Sequence, residues 1–280
     1  MKVLTFNTGL FYLKIFGRTL MEFVPFVDVR LEHQAREIIR TGADIVALQE
    51  VFSHKHKLHF IEALKEVYPY HATVPNNQLF IDNGLMVFSV FPITHYQLTK
   101  FKRTLWIEHL LAHRGYLEVT IDHPTIGQFH LFNVHTTVGG TPLTRKHGRI
   151  ARNIRNAQVA QLMHWVNGSA IVCGDFNTTP TIEGGALQHV REKGLIGLDH
   201  VHDGYTWDVD NPTNLFWLWK GEPSQNIDHV FATPELMQNF EEMKIEIVLN
   251  ETYDAVFPGT KTIARKIALS DHYGLMVTFE

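Results

Sequence analysis

The stretch Ala170-Ile171-Val172-Cys173-Gly174-Asp175-Phe176-Asn177 joins an apolar run that is typical of a strand to polar residues directly after it. Similar runs recur along the chain, at residues 3–6, 44–49, 84–89, 116–121, 129–134, 226–232, 246–249 and 273–279. Some alternate apolar and polar residues, as strands with one buried face do. Residues 45–48 are apolar throughout, which predicts a strand covered on both faces.

Two segments between these runs have the spacing of amphipathic helices. Leu31, Ala35 and Ile38 form one apolar stripe that Gly42 should end, and residues 159–166 contain a second stripe before Gly168. Strands outnumber helices and the two kinds are interleaved. We therefore predict an α/β fold in a single domain over residues 1–280, with two stacked β-sheets and helices outside them.

Composition excludes several classes of protein. Hydrophobic residues make up 45% of the 280 residues and charged residues 19%, which excludes a disordered polyelectrolyte. The net charge of −4 argues against duplex DNA as the main partner, because phosphate backbones are bound by clustered Lys and Arg. The single cysteine, Cys173, is expected to be a small buried hydrophobic residue.

No targeting segment is recognisable in the sequence. The start of the chain runs directly into a predicted strand, and residues 10–27 are interrupted by Lys14, Arg18 and Glu22, so we predict no signal peptide and no transmembrane segment. The expectation is a monomer that is cytoplasmic or is exported without a recognisable signal. Residues 10–27 could either contact lipid or fold against the core.

Polar residues follow or precede many of the predicted strands. They are Asn7, Glu50, His135, Asp175, Asn177, Asp228, Asp271 and His272. If these strand ends converge, they form a site rich in oxygen ligands with histidines at its edge. Such a site suits a hard cation, Mg²⁺ or Mn²⁺.

Each of these residues alone has a more ordinary interpretation. An Asn or Asp after a strand is usually part of a turn. With 18 histidines in the chain, any one of them is usually structural or on the surface. His54, His56 and His59, for example, lie with two lysines on a predicted helix and should belong to a solvated face. The prediction of a site therefore depends on the combination.

Six short motifs resemble, in order, the motif series of the endonuclease/exonuclease/phosphatase superfamily. They are LTFNT (4–8), ALQE (47–50), NVH (133–135), GDFN (174–177), NIDHV (226–230) and SDH (270–272), while GLMVFS (84–89) resembles its central strand motif. The resemblance extends over almost the whole chain. It implies a DNase-like fold, which is a four-layer sandwich of two mainly antiparallel β-sheets flanked by helices. It also implies a metal-dependent phosphoric diester hydrolase.

The resemblance also implies roles for the strand-end residues. Asn7, Glu50 and Asp271 would bind the cation, Mg²⁺ or in its place Mn²⁺. His272 would be the general base, since an imidazole can titrate near neutral pH, and Asp228 would orient it.

Three more residues would act on the substrate. Asp175 and Asn177 would hold the attacking water and the phosphate oxygens. His135 would stabilise the transition state or protonate the leaving group, although a packed strand-end histidine is the alternative.

Several details resemble the neutral sphingomyelinase branch of the superfamily. These are NVHT (133–136), HRGYL (113–117), in which Arg114 replaces the usual Lys, and NAQVAQL (156–162). They imply hydrolysis of a phospholipid phosphodiester in the manner of a phospholipase C. His229 departs from the Tyr or Arg that is common in relatives, which leaves the substrate contacts open.

The sequence leaves two alternative functions open and also predicts one contact with a membrane. The first alternative is a metal-dependent nuclease for DNA or RNA, which the acidic net charge disfavours. The second is a catalytically silent binding module that keeps the fold. Phe216–Trp219, next to Lys220, would form a tip that suits peripheral membrane contact, unless the segment packs on the core.

Overall fold

The structure is a computed structural model that describes residues 1–15, 18–22, 24–74, 83–106, 108, 113–139, 148–180, 185–197, 204–214, 222–256 and 263–280. Within these residues the strands are β1 (Lys2–Asn7), β2 (Tyr12–Ile15), β3 (Arg18–Glu22), β4 (Ile45–Gln49), β5 (Tyr70–Ala72), β6 (Met86–Ser89), β7 (Ile93–Lys100), β8 (Gly115–His123), β9 (Gly127–His135), β10 (Ala170–Asp175), β11 (Ile196–Gly197), β12 (Asp228–Ala232), β13 (Met243–Val248), β14 (Thr252–Val256), β15 (Ile263–Ala268) and β16 (Gly274–Phe279). The helices are α1 (Val27–Thr41), α2 (His54–Leu64), α3 (Gly148–Trp165), α4 (Leu187–Glu192) and α5 (Pro234–Met237).

The described strands form two six-stranded sheets with the same internal plan. The first has the order β13-β16-β1-β4-β6-β5 and the second the order β11-β12-β10-β9-β8-β7. In each sheet one central pair is parallel, β1 with β4 and β9 with β10, and the other neighbours are antiparallel. The prediction of two mainly antiparallel sheets is confirmed. Two separate hairpins, β2–β3 and β14–β15, complete the described strands.

Four layers result because the strands are apolar on both faces. Ile45 and Ala47 of β4 lie in the core between the two sheets, whereas Val46 and Leu48 face the outer core under α1 and α2. On the other side α3 and α4 cover the outer face of the second sheet. A fully buried Val, Leu, Ile or Phe contributes about 1.5–3 kcal/mol, so these three apolar layers dominate the stability of the fold.

Both predicted helical stripes are confirmed. Leu31, Ala35 and Ile38 are buried on α1, and Gly42 ends this helix in the left-handed conformation with φ of 64°. Residues 10–27 pack against the core at both ends, since Leu10 and Val27 belong to the outer core of the first sheet. None of the described helices is both long enough and apolar enough to cross a membrane.

Some of the secondary structure was not predicted, and one expectation was wrong. Strand β7 is largely exposed and has no regular alternation, so its sequence gave no strand signal. The expected solvated face of α2 is only partly present, because His56 and Lys57 are buried while His54 is exposed. The alternating His and Lys residues at the start of α2 gave no indication of the face that packs under the sheet.

Candidate active site

The two parallel strand pairs bring four of the predicted residues to one edge of the sandwich. Asn7 lies opposite Gln49, so Asn7 and Glu50 stand side by side where β1 and β4 end in the first sheet. His135 lies opposite Asp175 at the ends of β9 and β10 in the second sheet. Parallel strands end at the same edge of a sheet, which is why residues far apart in sequence meet here.

The antiparallel neighbours of these pairs supply three more residues at their beginnings, and Asn177 follows the end of β10 by two residues. Strand β12 starts at Asp228, directly opposite Asp175, and β16 starts just after Asp271 and His272. Because β12 and β16 run opposite to their neighbours, their first residues lie where the parallel pairs end. The structure thus places all the predicted site residues at one end of the molecule.

Buried amides join the two sheets immediately behind the site. Gln49 Nε2 donates to Asn133 Oδ1 over 2.7 Å and to Thr5 Oγ1 over 3.0 Å. Asn133 Nδ2 donates across the interface to the carbonyl oxygens of Leu48 and Met86, both at 2.9 Å. Buried polar groups must be paired, so these bonds specify how the sheets are aligned next to Glu50 and His135. The sequence showed Gln49 and Asn133 only as motif letters.

Close backbone contact explains the glycine of the GDFN motif. A Cβ on Gly174 would lie 2.1 Å from the carbonyl oxygen of Val134, and Gly174 has φ of 135°. Any side chain there would separate β9 from β10. Gly174 therefore allows His135 and Asp175 to lie side by side.

Arg30 on α1 holds the loops that carry two parts of the site. Its guanidinium is fully buried and donates to the carbonyl oxygens of Thr8 and Gly9, next to Asn7, and of Leu269, shortly before Asp271. It also donates to the carbonyl oxygens of residues 24 and 25. Sequence reasoning missed Arg30 because an arginine on an amphipathic helix ordinarily indicates the solvated face.

Asp228 and His272 form a buried pair. Asp228 Oδ2 lies 2.8 Å from His272 Nδ1. Burial lowers the pKa of His272, but the charge and hydrogen bond of Asp228, together with Asp271 and Asp175, raise this pKa well above 6.5. The second ring nitrogen, Nε2, lies 4.0 Å from Asp175 Oδ2 and faces the interior of the site.

Asp175 is the buried centre of the group. It accepts hydrogen bonds from Asn7 Nδ2 over 3.0 Å and from the backbone N–H of Asn177 over 2.8 Å. Asn177 has φ of 48°, a left-handed conformation that asparagine tolerates better than most residues. Burial and the nearby Asp228 raise the pKa of Asp175 to about 7, against the opposing effect of His272.

His135 lies between the two sheets, with Nε2 3.6 Å from Glu50 Oε1 and 3.5 Å from Asp175 Oδ2. The Arg114 guanidinium contacts its ring and pairs with buried Glu108 over 3.2 Å. Burial, and then the charges of Arg114 and His272, lower the pKa of His135 well below 6.5. His135 is therefore neutral near pH 7.

Asp271 lies on the first-sheet side of the site, beside Gly9. Ser270 Oγ donates to Asp271 Oδ1 over 3.1 Å, and a Cβ on Gly9 would lie 2.6 Å from the same oxygen. Burial raises the pKa of Glu50, and the charge of Asp271 raises it further. The two carboxylates are thus close enough to repel each other.

The chemistry of the donor set fits a hard divalent cation. Buried Asp175 and partly exposed Glu50 both have raised pKa values, so the ionised forms of these carboxylates need a positive charge nearby. The buried Asp228 Oδ1 has no hydrogen-bond partner in the described structure. Ligand atoms of Asp175, Asp228 and His272 also lie within 4.8 Å of one another, which makes a second donor set on the side of the Asp–His pair.

The expected membrane tip, Phe216–Trp219, lies outside the described residues. Membrane contact through this segment therefore stays a prediction.

Comparisons with known proteins bear on the family and the fold of this chain. The sequence matches the profile described as the Endonuclease/Exonuclease/phosphatase family over residues 4–272. A search of curated proteins by sequence gave no match.

Three similar solved structures cover all of this chain. One is SmcL, with a TM-score of 0.80 at 17% identity over 98% of its length. Sphingomyelinase C from Streptomyces griseocarneus follows with 0.75 at 19% identity over 99%. A beta toxin variant from Staphylococcus aureus with bound magnesium ions has 0.74 at 15% identity over 99%. At these identities the likeness shows the DNase-like fold.

Proposed function

Because this chain belongs to the endonuclease/exonuclease/phosphatase family and is a phosphodiester hydrolase, we propose that it cleaves a phospholipid phosphodiester with Mg²⁺. The observation that carries the proposal is the buried Asp228–His272 pair, 2.8 Å apart, beside the acidic residues at the ends of β4 and β10. An acid–base pair next to a cation-binding set is what hydrolysis of a phosphate ester requires.

His272 is the proposed general base that removes a proton from the attacking water. Its Nδ1–H donates to Asp228, which fixes the tautomer and leaves Nε2 to accept the proton. Asp228 also stabilises the imidazolium that forms, and the raised pKa of His272 reflects this stabilisation. The tautomer follows from the hydrogen bond, since a carboxylate can only accept.

Asn7, Glu50 and Asp271 are the residues that would hold the cation, Mg²⁺ or in its place Mn²⁺. When bound, the cation supplies positive charge to the phosphate oxygens and lowers the barrier to attack. The support is the pair of close carboxylates, Glu50 and Asp271, on one side of the site. The magnesium ions in the similar beta toxin structure are consistent with this choice of metal.

Asp175 and Asn177 are the proposed contacts of the attacking water and the phosphate oxygens. Asp175 Oδ2 lies 4.0 Å from His272 Nε2, so a water held by Asp175 is next to the base. His135 would stabilise the leaving oxygen. Because its pKa is lowered, it would do so as a neutral hydrogen-bond donor rather than by giving up a proton from an imidazolium.

A phospholipid is the proposed substrate for two reasons. Sphingomyelinase C, whose name states its substrate, shares the fold over the entire length of this chain. The net charge of −4 provides no general attraction for a polyphosphate strand. A nuclease of the same family is the second candidate, since the family name includes such enzymes.

A panel of phosphoesters tests the proposal. Sphingomyelin, lysophospholipids, phosphoinositides and plasmid DNA are each incubated with the protein in Mg²⁺ and in EDTA. The variants are His272→Ala and, as a control histidine, His130→Ala. His130 lies on β9 of the second sheet, is half exposed and is far from the site.

The proposal expects Mg²⁺-dependent lipid hydrolysis that His272→Ala reduces by about 10²–10⁴-fold, while His130→Ala retains it. Cleavage of DNA alone would support the nuclease. A protein inert toward every substrate would support the binding module.

Membrane contact through Phe216–Trp219 is a separate proposal. Replacing Trp217 and Trp219 by Ala is expected to weaken hydrolysis of lipid in vesicles and to leave bis(p-nitrophenyl) phosphate hydrolysis unchanged. Equal loss on both substrates would contradict it.

A further inference from the structure

We propose that Thr206 is a positioning residue that holds Asp228 and His272 at their working distance. The inference rests on the proposed roles of these two residues as base and partner. Thr206 touches neither reacting group with its side chain, and it acts by fixing the two backbone segments from which they project.

The first half of the argument concerns the segment that carries Asp228. Thr206 is fully buried, and its Oγ1 accepts the backbone N–H of Ile227 over 3.1 Å and that of Asp228 over 3.2 Å. In return, Asn226 Oδ1 accepts the backbone N–H of Thr206 over 2.9 Å. Three hydrogen bonds thus join Thr206 to three consecutive residues of the NIDH motif.

Strand pairing explains why this position needs an outside acceptor. The described strand β11 pairs with β12 only at Phe231 and Ala232. The start of β12 extends beyond β11, and its backbone groups cannot be satisfied by that neighbour. A buried N–H without an acceptor destabilises a fold, and the Thr206 hydroxyl supplies the acceptor beyond the end of β11, at the point where Asp228 begins.

The second half concerns the segment that carries His272. The carbonyl oxygen of Thr206 accepts the backbone N–H of Tyr273 over 2.7 Å. The next residue, Trp207, makes isolated β-bridges with both Gln225 and His272. Residues 206–207 therefore lie between the segment that carries Asp228 and the segment that carries His272. These two side chains are hydrogen-bonded although they are 44 residues apart in sequence.

The geometry makes Thr206 relevant to rate. Asp228 and His272 begin strands of different sheets, β12 in the second and β16 just after His272 in the first. Their separation therefore depends on what links the sheets at this edge, and Thr206 is bonded to both sides. A displacement of about 1 Å in a catalytic geometry can cost about 10²-fold in rate.

The test compares three substitutions with the wild type on bis(p-nitrophenyl) phosphate in Mg²⁺. Thr206→Val keeps the shape and removes the hydroxyl acceptor, whereas Thr206→Ser keeps the acceptor. Thr233→Val is the matched control: Thr233 is also buried, and its Oγ1 accepts the N–H groups of Ala170 and Leu236, but it lies at the far end of β12. For each variant kcat, KM, the melting temperature and the downfield Nδ1–H proton resonance of His272 are measured.

We expect Thr206→Val to lower kcat by about 10–100-fold with KM within about threefold, and to shift or broaden the Nδ1–H resonance. Thr206→Ser and Thr233→Val should stay within about threefold of the wild-type kcat. A folded Thr206→Val with wild-type kcat and an unchanged resonance would overturn the inference. So would an equal loss in Thr233→Val, because the effect would then be one of general stability.

Two further measurements keep the outcome decisive. If Thr206→Val does not fold, Asn226→Ala is used instead, because it removes the acceptor of the Thr206 N–H. A wild-type kcat in Asn226→Ala would refute the positioning role of Thr206. If His272→Ala keeps full activity, the proposed base is wrong. The Nδ1–H resonance of Thr206→Val still tests the positioning role in that case.

Discussion

Replacing Asp228 by Asn separates the charge of the Asp–His pair from its packing. Asn has nearly the same volume, so the buried site should keep its shape, and the backbone bond to Thr206 is untouched. Asn removes the negative charge that stabilises the imidazolium and no longer specifies which ring nitrogen carries the proton. The expected result is a large loss of kcat with little change in KM.

The magnitude follows from the 2.8 Å separation of Asp228 Oδ2 and His272 Nδ1. At an effective dielectric constant of about 20, two unit charges at this distance attract by about 6 kcal/mol. Desolvation offsets part of this attraction. We therefore expect kcat to fall by about 10³–10⁴-fold, which corresponds to about 4–5.5 kcal/mol.

The pH dependence has a definite sign. Asp228 raises the pKa of His272, and burial alone would lower it. A base acts in its neutral form, so the acidic limb of the rate profile lies at this pKa. In Asp228→Asn the limb should therefore move to lower pH.

The assay is hydrolysis of bis(p-nitrophenyl) phosphate in Mg²⁺ from pH 5 to 10, with Asp122→Asn as the control because Asp122 is exposed on β8. A kcat of Asp228→Asn within about tenfold of the wild type would refute the reasoning. An acidic limb that stays in place or moves to higher pH would refute it as well.

Other predictions concern the metal, the pH dependence of stability and the buried arginine. Glu50→Gln should raise the Mg²⁺ concentration for half-maximal activity by at least about tenfold. If calorimetric titration finds an unchanged Mg²⁺ affinity, Glu50 is not a ligand of the cation. In EDTA the contribution of Asp175 to the melting temperature, measured as wild type minus Asp175→Asn, should fall as pH rises from about 4 through 7. The folded pKa of Asp175 is about 7 against 3.8 for the ordinary group, so the folded state binds more protons at this carboxyl in that range. Mg²⁺ should restore more stability at pH 8 than at pH 5, and scanning calorimetry that shows equal restoration would contradict a metal next to this carboxylate. Arg30→Met should lower the melting temperature by roughly 10 °C, because five hydrogen bonds from a buried guanidinium are lost; a shift below about 2 °C in thermal unfolding would show that the carbonyl oxygens find other donors.

Most of the candidate site was visible in the sequence because polar residues interrupt apolar runs at strand ends. Asn7, Glu50, Asp175 and Asp228 each adjoin a run that periodicity identifies as a strand. Their convergence followed from the family resemblance, and the parallel pairs give its physical reason. The roles of these residues in catalysis remain proposals.

Residues that act through the backbone were not visible in this way. Thr206 and Arg30 follow no strand and match no motif, and their chemistry is ordinary. Their importance comes from the backbone carbonyl oxygens and N–H groups of other segments to which they are hydrogen-bonded. Sequence periodicity reports where side chains face, and it says nothing about which backbone groups lack partners.

The sequence by itself determined the layered fold, since the apolar runs are continuous where both faces of a strand are covered and the helical stripes have one buried side. It also determined the chemical inventory of the site. Only the tertiary structure decided the distances, and with them the electrostatics: a neutral His135, a His272 of raised pKa and an Asp175 that titrates about neutral pH. The reason is that a pKa depends on burial and on charges within a few ångströms, and these neighbours come from strands that are distant in sequence.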